Sequence, residues 1–91
     1  MFKMIIESDY EKLQNEGLYN IEQFDKTIRD ICLETNFTET SPNHYTLSDK
    51  YDEIGRMMVL NARFKVAECV IPNLKTWLTY SDEEGEVNWL T

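Results

Sequence analysis

Apolar residues recur along this chain with two different periods. From position 21, Ile21, Phe24, Ile28, Ile31 and Cys32 fall three, four and seven apart. That spacing puts them on one face of a helix. Asn20 stands where an N-cap is needed, with Gln23 three residues on. A side-chain oxygen at that position satisfies an orphan amide of the first turn. The opposite face carries Glu22 before Lys26 and Asp25 before Arg29, each at i,i+4. Such pairs add roughly 0.2–0.5 kcal/mol each. A helix over 21–35 follows.

Shorter segments read as strands. Phe2-Lys3-Met4-Ile5-Ile6 is brief, apolar and rich in branched side chains. Ser8 and Glu11 then match a capping box, with Ser8 covering the amides and Gly17 ending a short helix. Phe37–Thr40 and His44–Leu47 flank Ser41-Pro42-Asn43. Proline presets φ there and asparagine tolerates left-handed geometry, so a hairpin is expected.

Residues 49–71 admit two readings. At helical spacing Ile54, Met57, Leu60, Phe64, Ala67 and Ile71 form one stripe, with Asp49 as cap and Asp52–Arg56 as an i,i+4 pair. At period two, Leu60, Ala62, Phe64 and Val66 alternate with Asn61, Arg63 and Lys65, as in a half-buried strand. The stripe persists for about five turns, which favours the helix. Gly55 weighs against it by up to about 1 kcal/mol.

Pro72 breaks whatever precedes it. Leu74, Thr76, Leu78 and Tyr80 then alternate with Lys75, Trp77 and Thr79, as a strand would; a short helix starting at Pro72 is the alternative. Ser81–Gly85 is an acidic turn, and Glu86–Thr91 returns as an edge strand or a docked tail. The whole pattern predicts one α+β domain over residues 1–91. A short antiparallel sheet packs against the 21–35 helix and a second helix at about 51–70.

Charge narrows the partners. The chain holds 17 acids and 9 bases in 91 residues, a net charge of −8. Residues 1–40 contribute nine acids and four bases, a net of −5. Residues 41–70 contribute four of each, and residues 71–91 four acids and one base. An acidic surface repels phosphate, so direct nucleic-acid binding and anionic membranes are disfavoured. The N-terminus lacks a signal-peptide pattern and no run is long enough to span a bilayer, so the expected compartment is the cytoplasm. Cys32 and Cys69 are too few for a disulfide framework and read as small buried hydrophobes with free thiols.

Catalytic patterns are missing. Gly17, Gly55 and Gly85 stand alone, so no phosphate-cradling loop is present. His44, the single histidine, sits beside Pro42-Asn43 in a turn, where a base is solvated and poorly held. Cys32, Cys69 and His44 are too scattered for zinc, and Asp82–Glu86 lacks the spacing of a calcium loop. No cofactor, metal or catalytic residue is expected.

What remains points to binding. Tyr10, Tyr19, Tyr45, Tyr51, Trp77, Tyr80 and Trp89 exceed what a core this size hides completely. Aromatics left near acids resemble interface hot spots. The candidate interaction surface is therefore Glu7, Asp9, Glu11, Glu16, Trp77, Tyr80, Asp82, Glu83, Glu84, Glu86 and Trp89. The expected function is a non-enzymatic protein-interaction domain that inhibits or occupies a basic partner. In size and charge alone the chain is similar to small phage anti-restriction and anti-CRISPR proteins, some of which mimic DNA. On the 21–35 helix, however, Lys26 and Arg29 interrupt the acids, so mimicry would have to use the acids of 7–16 or 82–86. Two further readings stay open. One is a homo-oligomeric assembly subunit burying Trp77 or Trp89; the other is a small-ligand binder or enzyme with a deep polar pocket.

Overall fold

Residues 1–91 are described by a computed structural model. In chain order the elements are β1 (Lys3–Ser8), α1 (Tyr10–Glu16), α2 (Ile21–Glu34), β2 (Phe37–Ser41), β3 (His44–Leu47), α3 (Glu53–Val66), a 3-10 turn (Ile71–Asn73), β4 (Leu74–Ser81) and β5 (Gly85–Asn88). The five strands form one antiparallel sheet in the order β2-β3-β1-β4-β5. β1 lies in the middle, and β2 and β5 are the edges. This is the α+β class, with helices on one face of an antiparallel sheet.

Alternation decides which face is covered. In β1, Met4, Ile6 and Ser8 are buried, while Lys3 and Glu7 are exposed. Met4 pairs with Tyr45 and Thr79, and Ile6 with Trp77. These residues meet Leu13 of α1, Phe24, Ile28 and Ile31 of α2, and Met57, Leu60 and Phe64 of α3 in one cluster of 17 buried side chains. Phe64 approaches Trp77 edge-on at 5.2 Å between centroids. The other sheet face presents Lys3, Ile5 and Glu7 beside Thr46, His44, Tyr80, Leu78 and Thr76. None of those side chains belongs to the helix-side core.

Most of the pattern reading holds, and its departures have physical causes. The hairpin forms as expected, with Asn43 in the left-handed region at φ 70°. Asn20 caps α2 by accepting from Gln23 N. Gly17 ends α1 at φ 62°, a conformation costly for any residue with a Cβ. α3 is helical throughout 53–66, so the strand alternative for 60–66 is overturned.

Several local assignments are corrected. Ser8 does not cap α1, because β1 runs on to Ser8 and turns its side chain inward to donate to Asp25 Oδ1 at 2.7 Å. The cap is Asp9, accepting from Lys12 N at 3.1 Å. With Asp25 engaged by Ser8 and Tyr10, it forms no ion pair with Arg29, and Lys26 pairs with Asp30 rather than Glu22. Asp52, not Asp49, caps α3 through Gly55 N, which leaves Arg56 to donate to Asn36.

β4 also shows a phase change. A register shift opposite Glu7 and Ser8 lets both Leu74 and Trp77 face the helices, although they lie three apart. A bulge accommodates one extra residue in this way. Ile71 opens a three-residue 3-10 turn with Pro72 second, and β4 follows directly, so the strand reading for 74–80 holds and the helix alternative reduces to that single turn.

Candidate interaction surfaces

The β4–β5 hairpin holds six of the sequence-nominated residues, five of them, Tyr80, Asp82, Glu83, Glu84 and Glu86, at its tip end. Tyr80 lies directly across from Glu86, and Ser81 across from Gly85. Gly85 takes φ 67°, which lets the chain reverse there. Ser81 Oγ accepts from Glu84 N at 2.9 Å and stiffens the turn. Asp82, Glu83, Glu84 and Glu86 are all exposed. The one cation paired with them is the Met1 ammonium, which donates to Asp82 and is held more basic by that bond. Partial burial, then the Glu86 carboxylate, push the Tyr80 phenol above its ordinary value.

The N-terminal acids occupy the opposite end of the sheet. Glu7 projects from the uncovered face near the end of β1, and Asp9 is engaged as the α1 cap. Glu11 is exposed, and Glu16 lies 3.9 Å from Lys12. Lys3 pairs with Tyr80 while Ser8 pairs with Leu74. The two acidic groups are thus separated by the length of β1, about 17 Å at 3.3 Å per residue. They are not brought together.

The two tryptophans have different places. Trp77 is 1% exposed and belongs to the core, so it is not part of any surface. Its strand is flanked on both sides and faces the helix layer. Trp89 is half-buried on top of it, with ring centroids 5.8 Å apart. Its Nε1 donates to Thr79 Oγ1 at 2.9 Å.

Two hollows lie beside the hairpin. A broad trough of about 980 Å³ runs over the uncovered sheet face between Lys3, His44, Thr46, Tyr80 and Asp82. A smaller groove of about 230 Å³ separates α3 from β5 and is lined by Ile54, Met58, Val87 and Trp89, with Glu53 and Glu84 at its rim.

The apolar surface of α3 escaped the sequence reading. Met57, Leu60 and Phe64 are buried, yet Ile54, Met58, Val59 and Val66 are exposed. Ile54, assigned above to the core stripe, is 56% exposed. The signal was present: Met58, Val59, Ala62 and Val66 lie off the core stripe and are all apolar.

Reactive groups are dispersed. Cys32 is fully buried, and burial pushes its thiol up to about 12. Cys69 is half-buried, and both thiols are free. His44 is exposed, with Nδ1 2.9 Å from the Pro42 carbonyl oxygen. No three His, Cys, Asp or Glu side chains converge to hold a metal ion. No helix is long and apolar enough to cross a membrane. No protein-family model, curated protein or solved structure matches the chain.

Proposed function

We propose that this chain is a small non-enzymatic interaction domain that occupies or inhibits a basic protein through its β4–β5 hairpin. One observation carries this reading. Asp82, Glu83 and Glu84 stand exposed on one stiff turn and Glu86 at the start of β5 beside it, with half-buried Tyr80 across from Glu86. An aromatic beside several carboxylates supplies both contact area and attraction for Arg and Lys. The hairpin sits on the central sheet, so little ordering entropy is lost on binding.

The placement of the acids favours a local contact over a duplex-length mimic. The 7–16 and 82–86 groups lie at opposite ends of β1 and β4 and form no continuous row. The single histidine is exposed at the start of β3, not in the turn expected from the sequence, and the Cys32 thiol is buried and hard to ionise, which supports a role without bond-breaking chemistry. The reading includes work in the cytoplasm, where the two free thiols stay reduced, and no direct contact with nucleic acid.

Affinity capture from a lysate of the source cell tests it. The native chain and a variant carrying D82N, E83Q, E84Q and E86Q are immobilised side by side. A basic protein is expected on the native chain only, and it should elute as salt rises. A captured partner that ignores both salt and the four substitutions would contradict the reading.

A further inference from the structure

We propose that the outward face of α3 is the contact surface of a symmetric homodimer, in which α3 packs antiparallel on α3 of a second copy. The proposal goes beyond the basic-partner reading: its principal contact is the α3 face, and its partner is the chain itself.

A helix on the surface of a soluble domain normally turns a polar face to water. Here the outward arc is apolar. Val66 is 81% exposed, Met58 67%, Ile54 56% and Val59 39%. Exposed Ala62 lies among them. Nine large apolar side chains are exposed in the whole chain, and these four share one helix. From Ile54 to Val66 the strip runs about 18 Å at 1.5 Å per residue. Contiguous apolar surface of this kind marks a contact site.

Charge selects the occupant. Residues 41–70 hold four acids and four bases, so the strip belongs to the one neutral part of a chain whose net charge is −8. A basic partner is drawn instead to the acidic ends. Two copies meet with least repulsion across the neutral part. Ala62, near the middle of the strip, lets the two backbones approach closely.

Direction follows from two unpaired charges. Lys65 stands near the C-terminal end of α3 and forms no ion pair within its own chain. Glu84 reaches the groove beside Ile54 and Met58, at the N-terminal half of α3, and forms none either. A two-fold axis across antiparallel helices keeps each flank on its own side and reverses its direction. Lys65 of one copy then lies beside Glu84 of the other, and the contact occurs twice, as an isologous interface requires. A parallel pair, whose two-fold axis runs along the helices, would exchange the flanks and leave each Lys65 away from the other copy's Glu84.

Sedimentation equilibrium over a range of concentrations decides the matter. The native chain should move from 10.8 kDa towards twice that mass as concentration rises. Met58→Glu or Val66→Glu should weaken association by about tenfold or more. At concentrations low enough to keep the native chain monomeric, their thermal melts should match the native one, because both side chains are exposed. Lys65→Glu should weaken association, and adding Glu84→Lys should restore it. A monomer at every concentration would overturn the proposal. So would a dimer indifferent to Met58→Glu and Val66→Glu, or a double variant that fails to recover. The basic-partner reading fails separately, since Met58→Glu leaves capture of a basic protein intact.

Discussion

Trp89 closes over Trp77, with ring centroids 5.8 Å apart and planes inclined by 32°. Two hydrogen bonds fix the arrangement. Trp89 N donates to Trp77 O at 2.9 Å, and Trp89 Nε1 donates to Thr79 Oγ1 at 2.9 Å. The last residues therefore act as a latch that holds β5 on the sheet and seals the core at its edge.

The latch has a measurable weight. Complete removal of a buried aromatic costs about 3–5 kcal/mol, and Trp89 is half-buried. Trp89→Ala should destabilise the fold by about 2 kcal/mol in a urea titration. Trp89→Phe retains the stacking and loses one hydrogen bond, a cost of about 1 kcal/mol. Equal losses from the two variants would show that the ring contact contributes nothing.

Alkaline pH should weaken the fold. Burial raises Cys32 to about 12 and pushes the Tyr45 phenol up as well. A group with a raised folded value holds its proton longer in the native state than in the unfolded one. Its stabilising contribution is complete below the unfolded value, near 9 for the thiol, and is lost as pH climbs towards 12. Stability should hold up to about pH 8.5 and then fall by up to about 1.4 kcal/mol per pH unit for each such group. Denaturant midpoints at a series of pH values check the sign; a rise above pH 9 would contradict it.

The two thiols should separate in reactivity. Thiolate is the reacting form, and Cys32 is both fully buried and hard to ionise. Half-buried Cys69 should take up iodoacetamide first. Intact-mass spectrometry should show one adduct on the native chain and two after unfolding. Prompt double labelling of the native chain would contradict the burial of Cys32.

How legible this fold was depended on whether a local choice had one answer or two. Asn20 was the sole good cap before a strong apolar period, and α2 begins there. Ser8 and Asp9 are adjacent and both suit an N-cap; the sheet decided between them by drawing Ser8 inward to Asp25. Strict alternation set Trp77 opposite Leu74, and only the register shift beside Ser8 put them on the same side. The shift turns Leu74 inward, whereas Trp77 faces the core in ordinary alternation with Thr79, opposite Ile6; Trp77 read as surface only because the chain's aromatics outnumber what a small core hides. The acids of 82–86 were recognisable as one cluster because one turn and the start of β5 beside it hold them. The separation of Glu7, Asp9, Glu11 and Glu16 from that turn depends on strand order, which no local pattern encodes.

Asp9 offers a small test of the corrected start of α1. Its carboxylate satisfies Lys12 N, and loss of such a cap costs about 1 kcal/mol. Asp9→Ala should lower the denaturant midpoint accordingly. An unchanged midpoint would mean that the first turn of α1 contributes nothing to stability.

Amide hydrogen exchange on the chain, with and without the basic protein it captures, tests the central claim most directly. Protection should appear in Tyr80–Asn88 and fade as salt rises. Protection confined to the uncovered sheet face or to α2, with the hairpin unaffected, would contradict the assignment of the hairpin as the binding surface.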